Sequence, residues 1–205
     1  MDHVLLVLDE ADLLSDRGME KLMVFIKWCQ ELKIDVISVY IGVIQDGMDP
    51  RLLEKAYSHL MQHITNALSK EKASLAIYTD SPTPEPPYMK FINGVDDDRK
   101  RISISIGLGG RSELTKAIKT IAKRVQIGDI EPEEIDEKVI ESELIFKSEP
   151  DLVIRSGATR LTDFLLWQSV YSEFYFTDVN WAKFRKIDLL RAVRDFLWRE
   201  RRFGR

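Results

Sequence analysis

Short runs of apolar, β-branched residues recur along this chain with helix-period segments between them, and that alternation constrains the fold more than any other feature. His3–Asp9 (HVLLVLD) is apolar almost throughout, as expected of a strand buried on both faces. Residues 34–42 (IDVISVYIG), 73–79 and 102–108 read as further strands, and 151–154 and 174–176 as short ones. Residues 18–32 carry Met19, Leu22, Met23, Phe25, Ile26, Cys29 and Leu32 at helical spacing. Pro50–Leu68 predicts a second helix, with Asp49 as its N-cap and Pro50 in its first turn. Residues 111–125 and 187–202 predict two more, the last with Leu189, Leu190, Val193, Phe196 and Leu197 turned inward. Residues 81–88, with four prolines, and the charged run 93–101 are loops and turns; 128–148 suggests short acidic helices. Strands separated by helices predict an α/β fold with a mostly parallel sheet in one domain. Ligands of such sheets lie at the carboxyl ends of the strands, here near Asp9, Gly42, Gly109 and Arg155.

Several chemistries are excluded by what the chain lacks. A single cysteine, Cys29, cannot form an intramolecular disulfide and fits a reducing compartment. No apolar run approaches the ~18 residues of a membrane span, and no basic leader precedes the first strand, so the expectation is a cytoplasmic protein. LLVLDEAD, ending at Asp12, looks like a helicase motif, but no G-x-x-x-x-G-K-[ST] loop accompanies it, and Gly42 to Gly47 is followed by Met48-Asp49. Three histidines and one cysteine give no zinc knuckle. His59 and His63, four apart, read as surface residues, and no Ser-His-Asp or Cys-His set is readable.

Charge is unevenly spread. The net value is −4, yet residues 183–205 hold nine Lys/Arg against three Asp/Glu. A basic end on an acidic body suits a phosphate or an acidic membrane surface, or simply a solvated helix face. Gly107-Leu108-Gly109-Gly110, between strand and helix, could hold an anion on its N–H groups or serve as a tight turn, with Arg111 and Glu113 paired.

The most informative stretch is 151–178. Its strand delivers Arg155, followed by the small-residue turn Ser156-Gly157-Ala158, then Arg160 and Thr162. Two guanidiniums and a hydroxyl at a strand's carboxyl end make a clamp of diphosphate size. Glu173, after an apolar helix, could offer an oxygen to Mg²⁺.

That stretch, Ile154-Arg155-Ser156-Gly157-Ala158-Thr159-Arg160-Leu161-Thr162-Asp163-Phe164-Leu165-Leu166-Trp167-Gln168 through Glu173-Phe174-Tyr175-Phe176-Thr177-Asp178, resembles the signature segment of the cis-prenyltransferases, the undecaprenyl diphosphate synthase family. Gly109-Gly110-Arg111-Ser112-Glu113 resembles the family's G-G-R-x-[ED], and Arg202-Phe203-Gly204 its R-x-G ending. The resemblance implies a six-stranded, mostly parallel sheet with helices on it, a tunnel for the growing chain, and a dimer. It implies condensation of isopentenyl diphosphate with an allylic diphosphate to give a Z double bond. Arg155, Arg160 and Thr162 would bind isopentenyl diphosphate, and Arg202 and Gly204 (in the tail, about 199–205) would reach the site across the dimer interface. Asp9 would be catalytic and, with Glu173, would handle Mg²⁺. Gly109, Gly110, Arg111 and Glu113 would serve structure or interface. Nucleic acid is not among the expected partners.

One region departs from the family. Where D-G-N-x-R is usual, the chain reads Asp9-Glu10-Ala11-Asp12-Leu13. Glu10 adds charge where glycine allows backbone approach, and Leu13 replaces a phosphate-binding arginine. The turn between the two arginines is also a residue short. The allylic half-site thus reads as dismantled and the isopentenyl half-site as retained, a combination resembling the accessory (Nogo-B receptor type) subunit of heteromeric enzymes. The expectation is such a subunit, paired with a catalytic partner and touching the membrane at most peripherally. A self-sufficient homodimer, with Arg17 as substitute cation, and a non-enzymatic prenyl-diphosphate-binding protein are the alternatives.

Overall fold

A computed structural model describes residues 1–15, 17–43, 50–68, 73–79, 90–92, 100–157, 161 and 163–199, the side chains of 50–56 and 90–92 excepted. Among the described residues seven strands form one sheet, in the order β4-β3-β5-β2-β1-β6-β7. They are β1 (His3–Asp9), β2 (Val36–Gly42), β3 (Ser74–Thr79), β4 (Lys90–Ile92), β5 (Arg101–Ile106), β6 (Leu152–Ser156) and β7 (Glu173–Thr177). Six are parallel, as expected from the sequence. The three-residue β4, antiparallel to β3 at one edge, is an addition.

Helices cover both faces, which is why the inner strands need apolar residues at every position. On one face Val4, Leu6, Leu8, Ile37, Val39 and Ile41 join a core with α2 (Gly18–Glu31), α3 (Pro50–Leu68) and α6 (Lys186–Trp198). Leu5, Val7, Tyr40 and Val153 face the other way, onto Phe146, Phe164 and Leu165. The remaining helices are the short α1 (Glu10–Leu14), α4 (Gly110–Gln126) and α5 (Glu137–Glu143). Trp181, fully buried, packs edge-on to Phe25 with ring centroids 6.0 Å apart and donates to the Gly18 carbonyl at 3.1 Å.

Two expectations are corrected. The apolar helix expected ahead of Glu173 is not formed: residues 164–165 are irregular and 166–171 lie in bends and turns. Phe164 and Leu165 are both buried against the sheet, and Ser169 returns its hydroxyl to the Leu165 carbonyl at 2.6 Å. In α6 the inward set is Leu189, Ala192 and Phe196, with Val193 partly buried, while Leu190 and Leu197 face outward. The Asp49 cap and the loop 81–88 lie outside the described residues.

Chain order fixes where a ligand can enter. From β1 the strands run outward through β2 to one edge, then the chain returns to lay β6 and β7 on the other side of β1. The reversal falls between β1 and β6, and a crevice opens there beyond their carboxyl ends. Asp9 closes β1 at that end, and Arg155 lies one residue from the end of β6.

The opposite end of β1 holds a buried polar contact. His3 donates from Nδ1 to the Glu149 carbonyl at 2.8 Å and accepts the Ser38 hydroxyl at Nε2, 2.7 Å away. Burial pushes its pKa down to about 4. The unfolded imidazole binds a proton near pH 6.5, so this contribution is complete above that pH and is lost as pH falls from 6.5 towards 4. At pH 4.5 the expected loss is about 2.5 kcal/mol relative to pH 7. His3→Asn, which keeps a donor and cannot titrate, should flatten this part of the profile. Urea unfolding of both proteins at the two pH values checks it; equal losses would refute the role of His3.

Candidate functional site

Arg155 reaches from β6 across the end of β1. Its Nη2 donates to Asp9 Oδ2 at 2.7 Å and its Nη1 to the Val7 carbonyl at 3.4 Å. The pair is lopsided: the Arg155 side chain is 8% exposed and that of Asp9 60%. Buried arginine is uncommon unless paired. Here Nε is buried with no hydrogen-bond partner among the described residues, which leaves the guanidinium with an unused donor.

Helix α1 begins directly after Asp9, and the Asp9 N–H is taken by Asp12 Oδ2 at 3.0 Å. Burial and the nearby Asp9 charge raise the Glu10 pKa. For Asp12, burial raises the pKa, the Asp9 N–H opposes this, Asp9's charge adds to it and Arg155 counters. Three carboxylates thus crowd one strand end. Leu13 points away from them into the core, 3% exposed.

Beside this crevice, the carboxyl end of β5 leads into α4. The helix N-terminus is occupied by the chain itself: Arg111 N–H donates to Asp163 Oδ1 at 3.2 Å and Gly110 N–H to the Asp163 carbonyl at 3.0 Å. The Tyr40 hydroxyl also donates to that carbonyl at 3.0 Å. Asp163 adopts φ 45°, a left-handed conformation that Asn and Asp tolerate best among residues with side chains. A Cβ on Gly109 would lie 2.1 Å from Asp163 Oδ2, and one on Gly110 would lie 2.1 Å from the Phe164 carbonyl oxygen. The two glycines therefore serve close packing against residues 163–164. Of the two readings of this turn, the geometry favours the tight one. Glu113 does not turn to Arg111 as the sequence suggested. It is 2% exposed, accepting the Phe146 N–H at 2.7 Å and the Gln168 amide at 2.9 Å.

The sequence reading missed Asp163, Gln168 and Tyr40. A signal existed for the first, since Asp163 stands where the resembled segment has asparagine, which with aspartate tolerates positive φ best among residues with side chains.

Glu173 is not brought to Asp9. It opens β7 opposite Leu152, which pairs with Val4, so it lies five residues from Asp9 along the strand direction, or about 16 Å. It instead accepts Arg199 Nη1 at 2.8 Å. Within one protomer the two carboxylates are therefore not brought together. Arg160, Thr162, Arg202 and Gly204 lie outside the described residues. His59 and His63 meet each other at 3.0 Å, and no group of three or more metal-ligating side chains occurs among the described residues. No helix among the described residues is long and apolar enough to cross a membrane.

Residues 14–204 match the family described as "Putative undecaprenyl diphosphate synthase". The chain is 34% identical to the tritrans,polycis-undecaprenyl-diphosphate synthase (geranylgeranyl-diphosphate specific) of Methanocaldococcus jannaschii, over 92% of this chain and 73% of the relative. It is also 34% identical to isoprenyl transferase 1 of Tropheryma whipplei, over 98% of this chain and 87% of that protein. Among solved structures, lavandulyl diphosphate synthase from Lavandula x intermedia, in complex with dimethylallyl diphosphate, superposes with a TM-score of 0.75 at 23% identity. That superposition covers all of this chain and 98% of the other, a likeness of fold.

Proposed function

This chain belongs to the undecaprenyl diphosphate synthase family of prenyltransferases, and from that premise we propose that it is the activating subunit of a heteromeric Z-prenyl diphosphate synthase. In this reading it keeps a half-site for isopentenyl diphosphate and leaves the allylic substrate to a catalytic partner. The carrying observation is the end of β1, where Glu10 and the core residue Leu13 stand in place of a glycine and a phosphate-binding arginine, and Asp12 adds a further carboxylate. Two like charges about 4 Å apart repel by roughly 4 kcal/mol at an effective dielectric near 20. A diphosphate is disfavoured wherever it must approach this acidic end without a compensating cation.

The retained half rests on Arg155, whose planar fork can leave Asp9 for the two terminal oxygens of a diphosphate. Arg160 and Thr162 follow it in sequence and would complete the clamp, and the tail residues Arg202 and Gly204 would complete a site across the dimer interface. Gly109, Gly110 and Glu113 hold the 163–168 segment beside it. Mg²⁺ characteristically takes one or two carboxylates plus substrate phosphate, and the exposed Asp9 carboxylate fits that donor set. When bound, the ion would neutralise charge on the diphosphate of the isopentenyl substrate. Asp9 would hold it, Arg155 would orient the isopentenyl diphosphate, and the crowding by Glu10 and Asp12 would disfavour a second anion. Glu173 fits only as a ligand supplied to another protomer. The product of such a reaction is a polyprenyl diphosphate with an apolar chain, so a cytoplasmic location with peripheral contact to a membrane belongs to the same reading.

The expected result is little or no chain elongation by the purified protein. Co-expression with a homologue carrying an intact D-G-N-x-R segment should restore elongation, measured as incorporation of labelled isopentenyl diphosphate. Robust turnover by this chain alone would overturn the accessory assignment. It would favour a self-sufficient homodimer, the reading that similarity to the synthases supports, with Arg17, exposed ahead of α2, as the replacement cation.

A further inference from the structure

Helix α6 is apolar on two opposite faces, and among the described residues only one of them packs on the core. Leu189, Ala192 and Phe196 pack onto the core. Ile187, Leu190, Leu197 and Trp198 fall on the opposite side at helical spacing and are 44%, 37%, 66% and 78% exposed. Arg191 and Arg194 lie within this outer stripe. Arg191 donates to Asp188 at 3.0 Å, and the Arg194 guanidinium stands over the Trp198 ring at 5.1 Å. Where the chain enters the helix, Lys183 and Arg185 line an open groove with Lys21 of α2.

We infer that this outer face of α6 is a membrane-docking surface that lies in the interface of an anionic lipid bilayer. The composition suits that medium, since leucine, isoleucine and tryptophan can enter the headgroup boundary while arginines pair with lipid phosphates. Charge argues against a second copy as the occupant. A two-fold contact of this stripe with itself would set Arg191 and Arg194 against their own counterparts. Strand β7, an edge strand with partly exposed Phe174 and Phe176 rings stacked at 6.2 Å, offers a copy a more suitable surface. The inference names the surface for the peripheral contact proposed above and does not depend on Arg155 or on any substrate.

The test is co-sedimentation of the full chain with vesicles of phosphatidylcholine alone and of phosphatidylcholine mixed with phosphatidylglycerol, without substrate. Binding is expected to the anionic vesicles only, weakening as salt rises. Arg191→Gln with Arg194→Gln should reduce it about 30-fold, at the usual contribution of a basic residue near such a surface. Leu197→Ser with Trp198→Ser should abolish it without changing the protein's mass in solution. Equal binding to both vesicle types, or retained binding in both variants, would overturn the inference. A fall in oligomeric mass in the serine variant would also overturn it, by showing that another chain covers the stripe. Isopentenyl diphosphate calorimetry on the same variants reads the half-site separately, so that failure of one assignment is distinguishable from failure of the other.

Discussion

Replacing Arg155 by alanine is expected to lower the affinity for isopentenyl diphosphate by at least 100-fold. Hydrogen bonds to charged groups are each worth about 1.5–3 kcal/mol, so a forked pair to a diphosphate carries about 3–6 kcal/mol, and each 1.4 kcal/mol is tenfold in binding. The effect on folding should be far smaller, because the partner left behind, Asp9, is 60% exposed and remains hydrated. Asp9→Ala has the reverse signature. It strands a guanidinium that is 8% exposed, with the Val7 carbonyl at 3.4 Å as its remaining acceptor among the described contacts. That variant should lose stability while its arginine gains freedom to meet an anion. Arg155→Lys keeps the charge and loses the fork, and should bind at an intermediate level. Calorimetry with and without Mg²⁺ reads all three, the arrangement without the ion isolating the arginine in Asp9→Ala from the loss of the carboxylate that would hold Mg²⁺. Unchanged binding in Arg155→Ala would remove the half-site and, with it, the reason for calling one half of the site retained.

The strands were legible because burial on both faces forces apolar residues into every position, and few other structures ask that of five or six residues in a row. Helix α6 was legible as a helix but not in orientation. Periodicity reports that Leu189, Leu190, Phe196 and Leu197 are apolar, and a helix with two apolar faces gives no local sign of which one meets the sheet. The apolar helix expected ahead of Glu173 is absent for a related reason. The run of Phe164, Leu165, Leu166 and Trp167 has the composition of a buried helix, yet its conformation is set from outside by contacts such as Gln168 to Glu113, 55 residues away in sequence. Arg155 and Asp9 were found as separate candidates, since each ends an apolar run. Their contact depends on the register of β1 with β6, which pairs Val7 with Arg155 and which no local pattern encodes. Leu13 shows the same limit from the other side. Its identity announced a lost arginine, but only the fold shows that it is now a core residue. Restoring arginine there would bury a charge, so the fair test of the altered half-site exchanges the whole segment that follows β1.

Glu113→Ala should be among the most destabilising single substitutions in the chain, costing about 3–5 kcal/mol. The carboxylate is buried and joins three separate parts of the fold: α4 through its own backbone, the 144–147 segment through the Phe146 N–H, and the 163–168 segment through the Gln168 amide. Gln168 also donates to the Phe146 carbonyl at 2.6 Å, which closes the group. Removing the carboxylate forfeits at least two charge-assisted bonds and leaves the Phe146 N–H buried without this acceptor, a loss of about 1.5–3 kcal/mol per bond. In a domain of this size the midpoint of thermal unfolding should fall by roughly 10 °C, at ~2–4 °C for each kcal/mol. Glu113→Gln separates charge from shape. It preserves one acceptor for Phe146 but turns an N–H₂ towards the Gln168 amide, so it should recover only part of the loss. The consequence reaches the site, since Gly109 and Gly110 pack against residues 163–164 and the candidate phosphate-binding residues lie just before these in sequence. Weaker isopentenyl diphosphate binding in Glu113→Ala at temperatures where the protein is still folded would mark Glu113 as a positioning residue. A large drop in stability with unchanged affinity would confine it to the core, and a midpoint within a degree of the parent would show that the buried carboxylate does not hold these segments together.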